Sequence, residues 1–527
     1  MKRRLFLKAA ASSSVLPISL NGMSLRTFGK ESFFSVLGKR ANVSDRVLVI
    51  IQMNGGNDGL NMVIPIDQYS NLSKARTNIL IDQKKVLALN GTNATGLHPK
   101  MTGLQNMFNN GLVNTLQAVG YPQPNFSHFR ATDIWNSASD SDKIVTTGWM
   151  GRYLDKRFVN YPKDYPNATM PDPVAIQIGS MVPLSFMGPN VSMGMAISDP
   201  ASFYNLLDGN TGGSMNTPSE IELAYIRELT QQTNQYASVV KTAAGKGKNL
   251  STKYVTGNGL CDQLKIVAKL ISGGLKTPVY MVNIGGFDTH SNQTDSTDTS
   301  IGTHATLMQK LSEGIAAFQD DLKLLGASDR VVGMTFSEFG RRVQSNASGG
   351  TDHGAAAPLF VFGEAVQPGI IGKNPTIPTT TTVNDNVPMQ NDFRQIYASI
   401  LQDWFEVPAT DGKALLNNQD FNTLPIFKSN PASIEDFADM VTQIQISQVY
   451  PNPTSDFINI KFGSDGGGML SISVYDPLGN RVIYLGPKTY GIGEFTEELD
   501  LRGLRKGNYF VQLSSPKHQV TEHFMVY

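Results

Sequence analysis

The sequence predicts an α/β protein with a mostly parallel sheet flanked by helices, followed by a small C-terminal antiparallel β-sandwich. Between residues 45 and 435, apolar strand-like runs alternate with helical patterns, as they do in sheets covered by helices. From residue 446 to residue 527, apolar and polar residues alternate singly and turn signals separate the runs, which is typical of antiparallel strands. At 527 residues the chain is long enough for a large core and an appended module.

The individual elements follow from local patterns. Six apolar runs have the length of buried strands: 47–53, 113–119, 174–178, 279–284, 331–336 and 358–362. Apolar residues at helical spacing predict helices over 129–138, 303–325 and 393–405, the last capped by Asp392. A further helix begins at Thr217-Pro218-Ser219-Glu220, where a capping residue is followed by a proline and a returning acid.

Composition excludes several classes of function. Forty-four basic residues balance forty-four acidic ones, so we expect neither nucleic acid nor an anionic membrane as a partner. The single cysteine, Cys261, excludes an intrachain disulfide framework and a thiolate metal cluster. No uncharged apolar run approaches the roughly eighteen residues of a membrane helix, so no transmembrane segment is expected.

The first thirty residues predict an export signal. Arg3-Arg4 is followed by Leu5-Phe6-Leu7-Lys8 and a short apolar stretch, a pattern that resembles a twin-arginine signal peptide. An ordinary signal with a basic start is the alternative. The twin-arginine route carries folded proteins, which suits a protein that acquires a metal before export.

The C-terminal region carries a second export label. The stretches "VYPNPTSDFINI", "VYDPLGNRV" and "LRKGNYFVQL" resemble the C-terminal sorting domain of the Bacteroidetes type IX secretion system. The resemblance covers residues 446–527. It implies delivery through the periplasm to the cell surface or the medium, with the twin-arginine and type IX machineries as partners.

Polar side chains stand at the ends of the predicted strands. Five segments carry them: Asn54 to Asp58, Ser127-His128, Asp288 to His290, Glu338 to Arg342, and Asp352-His353. In an open α/β sheet, ligands bind beyond the carboxyl ends of the strands, where such loops converge. We therefore expect these side chains to meet at one edge.

The combination of residue types predicts group-transfer chemistry. Carboxylates and neutral imidazoles are ligands of divalent ions. A serine at a helix N-terminus beside an ion is a candidate nucleophile, and an arginine offers a bidentate fork to a tetrahedral anion. Together they describe transfer of a phosphoryl or sulfuryl group.

A family resemblance runs through the same segments. "QMNGGNDGLNMVIP", "SHFRATDIW", "GGFDTHSNQ", "FSEFGRR" and "TDHGAAAPLFVFG" resemble the exported family known as domain of unknown function 1501, which is grouped with the alkaline phosphatase and sulfatase superfold. The resemblance implies Ser127 as nucleophile. It implies that the metal ligands are Asp58, Asp288, His290, Glu338 and His353. Asp352 is either a further ligand or orients His353, and we expect Arg341 to steady the anion.

Two departures from the superfold pattern matter. Phe339 stands where the second metal's histidine is expected. Either His128 or His304 replaces it, or the site holds one ion in a mostly oxygen shell. The run Ser127-His128-Phe129-Arg130 lacks the proline of the sulfatase motif, so a formylglycine sulfatase is not expected.

The sequence thus predicts an exported metal-dependent hydrolase of phosphate esters, with sulfate esters less favoured. The substrate is a small-molecule or polymer ester, and the divalent ion is zinc, manganese, magnesium or calcium. The alternative is a catalytically silent surface binding or assembly protein that keeps the fold, and Phe339 favours it. A phosphomutase-like or transferase activity is a third hypothesis.

Overall fold

The computed structural model describes residues 18–20, 23–25, 45–199, 236–428, 444–464, 468–491, 493–515 and 518–527. The chain divides into two compact units, one over Ala41–Lys428 and the other over Ser429–Tyr527 with Met1–Arg40. Within the predicted signal, Ile18–Leu20 and Met23–Leu25 form an antiparallel pair. The rest of that signal, with its arginine pair, and the helix predicted at Thr217 lie outside the described residues.

The larger unit contains one central sheet and a small three-stranded sheet. Its described strands are β1 (Val47–Met53), β2 (Val63–Pro65), β3 (Leu87–Leu89), β4 (Thr92–Leu97), β5 (Val113–Gly120), β6 (Ala175–Ile178), β7 (Met195–Ile197), β8 (Val279–Ile284), β9 (Val331–Phe336), β10 (Ala357–Phe362), β11 (Gly369–Ile371) and β12 (Asn391–Asp392). All six strands predicted from the sequence are present.

The central sheet has the order β11-β5-β10-β9-β1-β8-β6-β7, and β12 also pairs with β5. All of these pairs are parallel except the two made by β10, which runs antiparallel to β9 and to β5. Strand β10 follows β9 without an intervening helix, and a parallel neighbour would need a long crossover connection. The predicted fold class, a mostly parallel sheet flanked by helices, is confirmed.

Helices cover both faces of the sheet. The labelled helices are α1 (Gly59–Met62), α2 (Tyr69–Ala75), α3 (Thr102–Asn109), α4 (His128–Ser137), α5 (Trp149–Arg157), α6 (Gly259–Ser272), α7 (Thr303–Leu324), α8 (Phe393–Ser399) and α9 (Ala409–Leu415), and residues 236–246 are also helical. Asp392 caps α8 in a reciprocal capping box with Gln395, as its position in the sequence predicts. The helix continues as a π-helical segment over Ile400–Trp404.

Two apolar cores lie on opposite faces of the sheet because side chains alternate along a strand. In β1, Val49 belongs to one core and Ile50 to the other. Helix α7 packs Phe318 into the first core, while α8 packs Phe393 into the second. Strand β1 is buried along its whole length, which makes the sheet a rigid base for the loops at its carboxyl edge.

The Ser429–Tyr527 part of the smaller unit contains seven antiparallel strands among its described residues. They are β13 (Ile444–Tyr450), β14 (Phe457–Ser464), β15 (Gly468–Tyr475), β16 (Arg481–Tyr490), β17 (Gly493–Asp500), β18 (Gly507–Ser514) and β19 (Gln519–Val526). They form two sheets, of order β13-β14-β17 and β16-β15-β18-β19. Residues of both sheets, including Ile458 and Val511, share one core. The predicted β-sandwich is confirmed.

Candidate metal centre

The loops at the carboxyl edge of the sheet bring imidazoles and carboxylates together. His128 begins α4 after β5, Asp288 and His290 follow β8, and Glu338 follows β9. His353 precedes β10 instead. Because β10 runs in the opposite direction, its start lies at the same edge as the ends of its neighbours.

Three imidazoles converge on the carboxylate of Asp288. Its Oδ1 lies 3.0 Å from Nε2 of His290 and 3.3 Å from Nε2 of His353. Its Oδ2 lies 3.5 Å from Nε2 of His128. The ligand atoms of His128, Asp288 and His353 all lie within 4.8 Å of one another. The Nε2 atoms of His290 and His353 face each other at 2.9 Å.

The second nitrogen of each imidazole is held by an oxygen. Nδ1 of His128 lies 2.8 Å from Oε1 of Glu338, and Nδ1 of His353 lies 2.8 Å from the carbonyl of Phe126. Nδ1 of His290 lies 3.3 Å from Oδ1 of Asp352. An ionised carboxylate or a carbonyl can only accept a hydrogen bond, so in a neutral imidazole these oxygens favour the proton on Nδ1. Each Nε2 then presents a lone pair.

This arrangement fits a divalent ion. Two lone pairs that face each other at 2.9 Å repel unless a cation or a proton lies between them, and metal-bound histidines generally donate the other ring N–H to an oxygen. His128, His353 and Asp288 place their ligand atoms close enough to share one ion, and two neutral imidazoles with one carboxylate form a nitrogen-rich donor set that suits zinc and related ions. Of the two histidines that could replace Phe339, His128 lies in this group and His304 does not, and the composition of the ion's shell stays a prediction.

Asp288 is held in its ionised form. Partial burial raises the pKa of this carboxyl, but the hydrogen-bonded Arg341 guanidinium and the neighbouring His353 and His290 imidazoles more than offset it and lower the pKa to about 2. Oδ1 of Asp288 lies 2.7 Å from the guanidinium of Arg341. Burial lowers the pKa of His353, which favours the neutral imidazole that a metal requires.

Arg341 is not available to a substrate anion. Its side chain is fully buried, and its guanidinium donates to the carbonyls of Gly55, Gly56, Phe287 and Thr351 as well as to Asp288. The guanidinium thus has carbonyl and carboxylate partners on every nitrogen. The prediction that Arg341 steadies the substrate is corrected, since it positions Asp288 instead.

Asp58 lies apart from the group. Both it and Arg76 are fully buried, and their side chains form an ion pair of 2.6 Å. The same carboxylate oxygen accepts a hydrogen bond of 2.5 Å from Gln293. Burial raises the pKa of Asp58, but the Arg76 guanidinium lowers it further, so the carboxyl is ionised. The prediction that Asp58 shares an ion with Asp288 is corrected, because Arg76 already neutralises its charge.

Glu338 and Asp352 lie behind the imidazoles rather than among the ligands. Glu338 is buried against Nδ1 of His128 and the backbone N–H of Gly55. The two ring nitrogens point to different sides of an imidazole, so a group on Nδ1 does not face an ion on Nε2. One interpretation of the sequence was that Asp352 orients His353. Its side chain contacts His290 instead. The predicted role of these two carboxylates as ligands gains no support from their contacts, which place each of them on the Nδ1 side of an imidazole.

Ser127 takes the N-cap position of α4, immediately before His128. Its side chain is exposed and makes no capping hydrogen bond. His304 does not join the group, since its Nε2 contacts Asn57 in the buried interior. The ring of Phe339 packs on His353 and His128, with centroids 4.5 and 4.9 Å apart, and fills the space beside them.

The glycines after β1 let the loop approach the centre. A Cβ on Gly55 would lie 2.4 Å from the backbone nitrogen of Asp288, and one on Gly56 would lie 2.3 Å from the ring of Phe339. Both glycines have positive φ angles. Their carbonyls accept hydrogen bonds from the guanidinium of Arg341. The polar loop after β1 therefore supports the centre by holding Arg341 with its backbone. The glycines of this loop were expected to let its backbone come close to the site, but nothing in the sequence marked their carbonyls as acceptors for Arg341 or the carbonyl of Phe126 as the partner of His353.

The fold and the centre define an α/β protein with a group of histidines and one aspartate that could hold a metal ion. Residues 266–416 match the family model described as "Protein of unknown function (DUF1501)". Residues 448–527 match the "Secretion system C-terminal sorting domain". Both predicted resemblances are confirmed over these residues. The sorting domain indicates export to the cell surface or the medium, and no helix among the described residues is long and apolar enough to cross a membrane.

Solved structures with similar chains come from the sulfatases and the alkaline phosphatase superfamily. A protein in the alkaline phosphatase superfamily from Vibrio parahaemolyticus is 11% identical, with 84% of this chain and 82% of that chain covered and a TM-score of 0.34. The PsFucS1 sulfatase from Pseudoalteromonas sp. is 11% identical, with 89% and 86% covered and a TM-score of 0.32. These likenesses are too weak to support an activity. No curated protein matches the sequence.

Proposed function

We propose that the larger unit is a metal-dependent hydrolase of phosphate esters, with sulfate esters less favoured, that works at the cell surface or in the medium. One observation carries the proposal: three imidazole Nε2 atoms converge on the carboxylate of Asp288. The nitrogen-rich donor set favours zinc over manganese, magnesium and calcium.

A bound divalent ion would polarise the ester and lower the pKa of a neighbouring hydroxyl or water. The chain's own groups prepare the place for it. Arg341 keeps Asp288 ionised and fixed, while Glu338 and Asp352 keep the proton of their histidines on Nδ1. The side chains of Asp288 and His290 are 49% and 45% exposed, so an ester can reach them from solvent.

Ser127 is the proposed nucleophile. It precedes His128 in the chain, its side chain is exposed, and it makes no capping hydrogen bond. The first N–H groups of a helix have no partners within the helix. Those of α4 can therefore donate hydrogen bonds that stabilise the negative charge that develops when the hydroxyl attacks. No other proposed ligand has a hydroxyl next to it at a helix start.

A catalytically silent surface binding protein is the second candidate. The buried contacts of Arg341 favour it, because this arginine is not available to a bound anion. Phe339 also favours it, because its ring occupies the position of a second ion's ligand and packs on His353. Under this hypothesis the centre would bind metal but show no turnover.

Metal analysis and turnover of the same purified protein separate the two. We expect about one equivalent of zinc in the wild type and none in His353→Gln, with His518→Gln, an exposed histidine of the smaller unit, as the matched control. Hydrolysis of 4-nitrophenyl phosphate should exceed that of 4-nitrophenyl sulfate. Zinc without turnover of either ester would support the binding protein, and absence of metal from the wild type would refute the hydrolase.

The nucleophile has its own test. Ser127→Ala should abolish turnover and leave the zinc content unchanged, because the serine is not a ligand. Ser296→Ala, which changes an exposed serine in the loop after His290, should retain full activity. Unchanged turnover in Ser127→Ala would refute the serine mechanism while leaving a metal-dependent attack by water.

A further inference from the structure

Glu338 differs from the other two groups that hold Nδ1 of a histidine. Its side chain is only 3% exposed, whereas that of Asp352 is 52% exposed. Its contact with His128 is 2.8 Å, compared with 3.3 Å between Asp352 and His290. A buried carboxylate at short range forms a stronger hydrogen bond than an exposed one.

The same Glu338 oxygen also holds the loop after β1. Oε1 accepts the backbone N–H of Gly55 at 2.8 Å in addition to Nδ1 of His128. The other oxygen lies 3.3 Å from the hydroxyl of Ser337, which itself donates to the carbonyl of Met53 at 2.8 Å. Glu338 therefore has a fixed position and a fixed acceptor atom for the imidazole.

We propose that Glu338 is a positioning residue that holds His128 in the tautomer with a free Nε2, and so controls the affinity of the centre for its ion. The proposal rests on the proposed metal centre. Without the acceptor on Nδ1, the proton of a neutral imidazole is free to move to Nε2, where it blocks the ligand atom. His128 is then the member of the group that depends most on one buried partner.

Two substitutions separate the charge of Glu338 from its acceptor atom. Glu338→Gln retains an oxygen for Gly55 and His128, and its amide can donate to the hydroxyl of Ser337, but the negative charge is lost. Glu338→Leu removes the acceptor altogether. Changing a carboxylate that orients a metal-bound histidine typically lowers metal affinity about 10- to 100-fold. Asp352→Asn, on the exposed and longer contact, is the matched control.

The experiment measures zinc affinity of the full-length protein by competition with a chromogenic chelator. We expect about a 10-fold loss in Glu338→Gln, about a 100-fold loss in Glu338→Leu, and less than about a 10-fold loss in Asp352→Asn. Should Glu338→Leu fail to fold, Glu338→Gln alone carries the comparison. Equal losses in Glu338→Gln and Asp352→Asn would overturn the proposal.

A double-mutant cycle tests whether Glu338 acts through His128. In a His128→Gln background, Glu338→Gln should cause no further loss of zinc affinity, because the imidazole that it orients is gone. A purely structural role would give the same loss in both backgrounds and would overturn the inference. In metal-free wild type, the ring ¹⁵N shifts of His128 should report a proton on Nδ1, and that readout does not depend on turnover. Wild-type protein that binds no zinc would instead refute the proposed function itself.

Discussion

The replacement of Asp58 by asparagine distinguishes a buried ion pair from a metal ligand. Asp58 and Arg76 are both fully buried, with 2.6 Å between the carboxylate oxygen and the guanidinium nitrogen. Removal of one partner of a buried pair leaves an uncompensated charge, which costs about 3–5 kcal/mol of unfolding free energy. Arg76 also donates to the carbonyls of Arg342 and Val343, so it cannot turn towards water.

Urea unfolding followed by tryptophan fluorescence measures this cost. The chain has three tryptophans, at positions 135, 149 and 404, so fluorescence reports on the larger unit alone. Asp420→Asn is the control. Asp420 forms an ion pair with Lys413, and the side chains of Lys413 and Asp420 are 45% and 76% exposed. Loss of such a pair changes the unfolding free energy by at most about 1 kcal/mol.

The zinc content of Asp58→Asn completes the test. We expect it to equal that of the wild type, because the carboxylate contacts Arg76 and Gln293 and no member of the metal centre. A variant that unfolds like the wild type but has lost its zinc would refute this reasoning and restore Asp58 as a ligand.

Three further results are expected. The pKa of Asp58 is lowered in the folded protein. The difference in unfolding free energy between wild type and Asp58→Asn should therefore be constant above about pH 5 and shrink as the pH falls below about 4, the pKa of an aspartate in the unfolded chain. A difference that grows in acid would contradict this. Gly55→Ala should lose zinc and stability, whereas Gly91→Ala, at a positive φ with open space around it, should cost only about 1–2 kcal/mol and keep its zinc. Arg341→Lys should lower the unfolding free energy by about 2 kcal/mol or more, because an ammonium cannot satisfy all the buried carbonyls of that guanidinium; urea unfolding indistinguishable from wild type would refute it.

Strand periodicity, together with the tendency of ligands to bind beyond the carboxyl ends of parallel strands, predicted much of the molecule. Strand β1 was predictable because six of its seven residues are apolar, and all seven are buried. Asp288, His290 and His353 were expected to meet because their loops lie at the ends of strands of one sheet, where such loops converge, and the structure places them within hydrogen-bond range of one another. Periodicity and the polar residues at strand ends are local signals, which the chain carries in its own pattern.

The assignment of roles within the site was less predictable. The sequence places Asp58 at the end of a strand, but Arg76, which neutralises it, lies 18 positions further on with no pattern to mark it. Arg341 and Arg342 are adjacent, and only the folded loop shows that Arg341 faces the carbonyls of Gly55 and Gly56. Whether a carboxylate binds an ion or a guanidinium depends on partners that tertiary folding supplies.

The groups of the metal centre come from widely separated parts of the chain. His128 and Glu338 are 210 positions apart, and His353 lies 227 positions from the carbonyl that holds it. An ion bound there would cross-link residues that are far apart in the sequence. Because the folded sheet already holds these residues close together, closing such long loops costs little further entropy when the ion binds. Unfolding would then require release of the ion, so resistance to denaturation should rise with the concentration of free metal.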